Sequence, residues 1–280
     1  MAEDNAAQAA DVARTYYNAG DVDGFYAHAW GGEDIHFGVY ADAHEAIDVA
    51  SRRTVERLAA KVCDALGSDS TVLDMGSGYG GAARWLAGQF GCHVVALNIS
   101  EVQNRRHREL NSERGLDGLI EVVTGSFHDI PAPDARFDVV WSQEALCHSG
   151  DRPSALREAV RVLKPGGHLV FTDIMAAEGA PEEELRPLTQ RLAITEFATS
   201  RFYEEQLRAL GLSGVDFEDL SDHMLTHYER LLEEVRSPAP GLVNAVSAAY
   251  LERLGTSLPQ VVAACRKGHL RWGTLHGCRR

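Results

Sequence analysis

The residues with the plainest chemical capacity sit in Val72-Leu73-Asp74-Met75-Gly76-Ser77-Gly78-Tyr79-Gly80-Gly81. Gly76, Gly78 and Gly81 satisfy the spacing G-x-G-x-x-G, where missing side chains let a ligand reach the backbone and the N-terminus of the following helix. By spacing alone such glycines also mark close packing of helix on strand, so their neighbours must decide. A dinucleotide site asks for an acid at the end of the next strand, about 20 residues on, to hold the ribose hydroxyls. That run ends Ala96-Leu97-Asn98-Ile99-Ser100, with no acid before Glu101. Asp74 instead precedes the first glycine by two residues. A carboxylate there repels a pyrophosphate and suits a sulfonium or ammonium ion, which leaves a nicotinamide dinucleotide as the runner-up.

His148 and Asp173 each fall just past an apolar run, a placement that suits a general-base pair or a buried structural one. Between Tyr16 and Tyr40 lie Tyr17, Phe25, Tyr26, Trp30 and Phe37, against 8% aromatic residues in the whole chain. Aromatic faces accommodate an ammonium ion, although Phe25, Tyr26 and Trp30 also have the spacing of helix core packing. An acceptor carboxylate needs a cation, for which Arg53 and Arg201 are the candidates. On sequence alone His36 reads as a hydrogen-bonded structural histidine. Glu33, after Gly31 and Gly32, reads as a helix cap or a solvated acid. The run Glu182-Glu183-Glu184 reads as a solvated first helical turn, and Lys164-Pro165-Gly166-Gly167 as a turn. The other histidines, the methionines and the cysteines read as structural or surface residues.

The elements that must position these groups change character along the chain. Residues 1–66 form a helical cover, with helices near Val12–Ala19, Val22–Ala29 and Ala43–Leu66. From Thr71 short apolar runs (TVLDM, HVVAL, IEVVTG, DVVWS, HLVFTD) alternate with helix-length segments. That rhythm predicts an α/β, Rossmann-like, doubly wound sheet, mostly parallel, with its ligands outside the carboxyl ends of the strands. Residues 67–175 are the core. Residues 176–280 supply acceptor-side helices: a long one near 182–210, others near 223–235 and 241–265, the run VDFEDL and a last run LRWGTLHG, expected to close the sheet edge.

Composition narrows the partners. Of 280 residues, 41 are acidic and 27 basic, a formal charge of -14, which disfavours nucleic acid and anionic membranes and favours a small-molecule amine; a homo-oligomer stays open. Five scattered cysteines without a C-x-x-C pair suggest neither disulfides nor zinc, hence a reducing compartment. No apolar leader or spanning run is present, so a cytoplasmic protein is expected.

The motifs V-L-D-M-G-S-G-Y-G-G, L-N-I-S-E-V-Q, G-S-F-H-D-I-P-A-P-D-A-R-F-D-V-V-W-S-Q-E and R-V-L-K-P-G-G-H-L-V-F-T-D follow in order over about residues 70 to 175. The series resembles the Rossmann-like S-adenosylmethionine-dependent methyltransferases. That resemblance implies a seven-stranded sheet and S-adenosylmethionine as cofactor. It implies that Gly76 and Gly78 lie at the methionine end, where the charge argument also sets Asp74 as a cofactor residue, Asn98 and Gln103 at the ribose, Ser126 and Phe127 at the adenine, and Gln143 near the transferred methyl. Asn98 departs from the acid of many members; Asn-x-Ser-x-x-Gln resembles the branch of cyclopropane-forming and small-molecule enzymes. A His148–Asp173 pair resembles that of sugar O-methyltransferases.

A second resemblance lies in the cover. Tyr16-Tyr17-Asn18, Asp23-Gly24-Phe25-Tyr26, Trp30-Gly31-Gly32-Glu33-Asp34-Ile35-His36-Phe37-Gly38-Val39-Tyr40 and Ser51-Arg52-Arg53-Thr54-Val55-Glu56 resemble the glycine betaine-forming sarcosine and dimethylglycine N-methyltransferases. So do Phe202-Tyr203, His227-Tyr228 and Trp272-Gly273. The resemblance implies Tyr17 and His36 beside the cofactor, and Tyr26, Trp30, Arg53 and Tyr203 beside the acceptor. Methylation of sarcosine sheds a proton, with His148 or water to accept it. The competing readings are methylation of an amino sugar, a sugar hydroxyl or a natural-product amine, and a cofactor-binding regulator without turnover.

Overall fold

A computed structural model describes residues 2–30 and 32–280; Gly31, part of the glycine turn and of the Trp30–Tyr40 motif, lies outside them. The cover opens with α1 (Ala2–Tyr17) and α2 (Gly20–Phe25), which runs into a single π turn, Tyr26–Trp30. Helix α3 (Ile47–Lys61) follows, shorter than expected because Ala46 is extended at ψ 140. The core alternates β1 (Thr71–Met75), α4 (Gly81–Phe90), β2 (His93–Asn98), α5 (Glu101–Glu113), β3 (Ile120–Thr124), β4 (Phe137–Gln143), α6 (Arg152–Val162) and β5 (Leu163–Ala176). Then come α7 (Glu182–Leu192), α8 (Ser200–Ala209), β6 (Leu212–Asp219), α9 (Ser221–Arg236), α10 (Pro240–Ala245), α11 (Ala248–Arg266) and β7 (Leu270–Arg279).

The seven strands form one sheet in the order β3-β2-β1-β4-β5-β7-β6. Strands β1 to β5 pair in parallel, and β7 runs antiparallel to both neighbours. The apolar runs alternate between two cores, as a pleat requires. Val72, Val94, Val139 and Trp141 face α3 and α4, while Leu73, Met75, Val140 and Phe171 face α6 and α8. The order reverses at β1 and β4, so the crevice lies above their carboxyl ends.

Three expectations are corrected. The last run does not close an edge: β7 lies between β5 and β6. Gly273 allows this, since a Cβ there would fall 2.0 Å from the Glu218 carbonyl oxygen. The helix expected over 182–210 breaks at Ala193, which takes a left-handed φ of 54, and restarts where the Thr199 hydroxyl accepts from the Phe202 amide at 3.1 Å. The helix expected over 241–265 is interrupted after Ala245. Ser247 caps α11, and its own N–H and hydroxyl donate to Asp21 at 2.6 and 2.7 Å, tying the cover to the C-terminal helices. One apolar core joins Phe25, Tyr26 and Trp30 of the cover to Leu188, Tyr228, Leu258 and Trp272.

Candidate active site

The loop after β1 is bent back against β2, with the Gly76 and Ser77 amides donating to the Leu97 carbonyl at 2.8 and 3.2 Å. This needs left-handed backbone at Gly76 (φ 82) and Gly78 (φ 53). A Cβ at Gly76 would meet Ala145 at 2.3 Å, and one at Gly78 would meet the Ile35 side chain at 2.9 Å. Over this bare floor lies a cavity at the carboxyl ends of the strands, where open α/β sheets hold their ligands. Its walls are Gly76 and Gly78, then Asn98, Ile99 and Gln103 after β2, then Gly125 to His128 after β3. Gln143, Glu144, Ala145, His148 and Ser149 follow β4, and the cover adds Ile35 and one face of α1, Ala10, Ala13 and Tyr17.

The donor and acceptor set of the wall fits S-adenosylmethionine. Asn98 donates to the Gln103 side-chain oxygen at 3.0 Å, which leaves the Gln103 amide nitrogen buried without a partner among the described residues. The Gln143 oxygen accepts from Trp141 Nε1 at 2.9 Å, and its nitrogen too is buried and unsatisfied among the described residues, like the Ser149 hydroxyl. Buried polar groups without partners are costly; a polar ligand in the cavity would relieve them. Phe127 supplies the apolar face. Among the described residues the wall carries no arginine or lysine to meet a diphosphate.

Asp74 and His36 are buried but lie outside the cavity wall. Burial pushes the Asp74 carboxyl up to about 7, so near neutrality its charge is shared with a proton. Burial alone would lower the His36 ring, but Asp34 and Glu144 outweigh it and raise it. Asp34 is bound to Arg52 at 2.7 Å. Glu33 is neither a cap nor a solvated acid: it bridges Arg84, at 2.9 Å, and Arg114.

The structure does not bring His148 and Asp173 together. His148 Nε2 bonds the Tyr17 hydroxyl at 2.9 Å, closing α1 onto the core. Burial, with help from Arg152, pushes its ring down to about 4. Asp173 accepts from the Tyr203 hydroxyl at 2.5 Å, so Tyr203 is spent on Asp173 inside the sheet core, and neither lines the cavity. The two arginines named for a carboxylate are also spent: Arg53 forks onto Glu45 at 2.6 and 2.7 Å, and Arg201, 71% exposed, pairs with Glu178.

Tyr26 and Trp30 belong to an aromatic cluster beside the cavity. Tyr17, Tyr26 and Trp30 succeed one another at 5.9 and 5.1 Å between centroids. Trp30 then meets His227 at 4.8 Å and Phe37 at 5.6 Å, and Phe37 meets Trp272 at 5.5 Å. The guanidinium of Arg191, from α7, stands 5.8 Å over Trp30 and 5.6 Å over Tyr228. His227 Nδ1 accepts from the Gly38 amide at 3.1 Å, which assigns the ring proton to Nε2. Burial holds this ring neutral, lowering it well below the usual range. Three buried donors, Trp30 Nε1, His227 Nε2 and Arg191 Nε, have no acceptor among the described residues.

Sequence reasoning passed over Glu144, Arg191, His227 as a donor, and the alanines of α1. Ala10, Ala13 and Tyr17 carried a readable signal, the three- and four-residue spacing of one helix face. His227 stood out only as part of the His227-Tyr228 motif, and Glu144 and Arg191 had no such signal, because their neighbours come from distant segments.

Sheet order, glycine loop and cavity together define a Rossmann-like S-adenosylmethionine-dependent methyltransferase. A family model described as a methyltransferase domain matches residues 73–171. The chain is 48% identical over 269 residues to the sarcosine/dimethylglycine N-methyltransferase of Halorhodospira halochloris, covering 96% of each. It is 47% identical over 268 residues to the glycine/sarcosine/dimethylglycine N-methyltransferase of Actinopolyspora halophila, spanning 96% of this chain and 47% of that longer protein. The fold superposes at a TM-score of 0.87 and 34% identity on a structure from Galdieria sulphuraria, provisionally described as a sarcosine dimethylglycine methyltransferase, covering 94% of this chain and 98% of that one. The chain belongs to the sarcosine/dimethylglycine N-methyltransferase family.

Proposed function

We propose that the chain methylates the nitrogen of sarcosine and of dimethylglycine, giving dimethylglycine and glycine betaine. The carrying observation is the trio of buried donors without acceptors, Trp30 Nε1, His227 Nε2 and Arg191 Nε, set among aromatic rings next to the cavity. A small amino acid zwitterion matches both halves: its carboxylate satisfies the donors, and its ammonium end suits the ring faces. The names of the relatives support the same acceptors.

When bound, S-adenosylmethionine would supply an electrophilic methyl group on a sulfonium, open to in-line attack by an amine lone pair, with the sulfur leaving as a neutral thioether. In this reading Gly76 and Gly78 let its methionine end approach the backbone. Asn98 and Gln103 take the ribose hydroxyls, Ser126 and Phe127 border the adenine, and Gln143 stands nearest the reacting end. Asp74 and His36 act from behind the loop, as buried charges rather than contacts. The Tyr17–His148 bond holds α1 across the cavity and keeps water out, which favours charge transfer between sulfur and nitrogen. Asp173 positions Tyr203. With its ring pushed down to about 4 and occupied by Tyr17, His148 is a feeble base. Mass spectrometry of products from glycine, sarcosine and dimethylglycine, each incubated with labelled methyl donor, tests the reading; label in none of them overturns it.

A further inference from the structure

We infer that Glu144 is the proton acceptor for the incoming amine, drawing in the ammonium end of sarcosine or dimethylglycine and removing the proton that blocks the nitrogen lone pair. The inference rests on the reading of the acceptor given above. Amines of this kind titrate near the lysine range, about 10, so near neutrality only about one molecule in a thousand carries a free lone pair. A binding site that recruits the abundant ammonium form must therefore pass that proton to a base, in its own wall or in water.

Glu144 is the sole carboxylate among the described residues of the cavity wall. Its backbone is left-handed, φ 47, a conformation that costs a residue with a side chain on the order of 1–3 kcal/mol and is kept where the surroundings impose it. They do so here: the Glu144 amide donates to the Thr172 carbonyl at 3.0 Å. Each carboxylate oxygen holds one donor, Oε1 from Trp272 Nε1 at 2.6 Å and Oε2 from the Phe37 amide at 3.2 Å. A carboxylate has about four acceptor sites, so room remains for an ammonium N–H. Phe37 and Trp272 are members of the aromatic cluster, which places Glu144 where the cofactor cavity meets that cluster.

Of the other acids and bases, His148 is bonded to Tyr17, Asp173 to Tyr203, and Asp74 stands outside the wall, while His128, held through Nε2 on the Ser149 carbonyl at 2.6 Å, sits in the wall beside Ser126 and Phe127. The titratable groups facing Glu144 are His36 of the cover, Cys147, and Asp173 of β5. Burial raises its carboxyl, with His36 opposing, and the same desolvation lowers a bound ammonium, so the gap between proton donor and acceptor narrows. In the step itself one N–H bond breaks, its electron pair stays on nitrogen, and the proton forms an O–H bond on Glu144. That proton leaves to solvent before the next turnover.

The test is kcat/KM for dimethylglycine against pH, in the whole chain and in Glu144→Gln, with calorimetric affinity for S-adenosylhomocysteine as the measure of an intact site. We expect a nearly flat profile for the unaltered protein between about pH 6.5 and about pH 8.5. The variant should be about 100-fold slower or worse, with a rate rising about tenfold per pH unit as free amine accumulates, and with unchanged affinity for S-adenosylhomocysteine. A variant with full rate and flat profile overturns the proposal, as does a steep profile in the unaltered protein. Should Glu144→Gln lose the ligand, Glu144→Asp decides: a flat profile at lower rate supports the role, and a steep one ends it. If the unaltered protein methylates neither acceptor, the functional reading itself falls, and this inference with it. If it methylates them and the variants match it, only the role of Glu144 falls.

Discussion

Asp74 carries no hydrogen-bond partner on one buried oxygen among the described residues, and burial moves its carboxyl from the ordinary range to about 7. A carboxyl raised in the folded state favours folding in its protonated form; that contribution is complete below the unfolded value, near 4, and is lost as pH rises towards 7. Asp74→Asn should therefore gain stability over the unaltered protein progressively from about pH 4 to about pH 7, reaching on the order of 4 kcal/mol at pH 8. Urea denaturation at the two ends of that window checks it, and an equal gain at both would refute it. Arg191 presents the complementary case, a buried guanidinium nitrogen without an acceptor. Arg191→Met should raise the acceptor KM by about 2 kcal/mol, roughly thirtyfold, while affinity for S-adenosylhomocysteine holds, and Arg201→Ala should leave the acceptor KM within about twofold. Steady-state kinetics with dimethylglycine, paired with calorimetry, separates the two. Arg53 and Arg201 were reasonable choices by charge alone. Which cation faces the acceptor depends on which ones carboxylates have already taken, and Glu45 and Glu178 took those two.

At the scale of elements, the loop between β1 and α4 is the part whose geometry a single residue type controls. Gly78→Val places a branched side chain at a left-handed position and against Ile35. It should abolish calorimetrically detectable binding of S-adenosylhomocysteine, and binding within about tenfold of the unaltered affinity would contradict the account. The reason differs from the one spacing suggests: the intruding methyls would first meet the cover, not the ligand. The alternation of β1 to β5 with α4 to α6 was legible because period-two apolar runs and helix caps are local signals. The breaks at Ala193 and after Ala245 were not, because Ala is a good helix former. There the chain turns to pack α7 on α11 and α10 on α2.

For the whole molecule, the excess of acid sets the response to salt. Many of the ion pairs are solvent-exposed and worth little each, while a net charge of -14 repels itself throughout the compact state. Raising sodium chloride from about 20 mM to about 500 mM shortens the screening length several-fold, and should raise Tm by about 2–4 °C. A fall in a calorimetric scan would show that attractive pairs outweigh the repulsion. Cover, core and C-terminal helices share one apolar cluster, with Tyr228, Tyr250 and Trp272 packed against Trp30 and Phe25 either directly or through Phe37.

The sequence alone determined the strand-and-helix rhythm, the bare loop after Asp74, and the polar pair Asn98 and Gln103 at the second strand's end, since each depends on residues within a few positions of one another. Only the tertiary structure decided that His148 bonds Tyr17 and not Asp173, that β7 enters between β5 and β6, and that Arg191, Trp30 and His227 meet in one aromatic cluster. Those outcomes rest on contacts between segments a hundred or more residues apart in several cases, such as Tyr17 with His148 and Glu144 with Trp272, and only the folded packing of the chain fixes which polar groups find partners and which are left for a ligand.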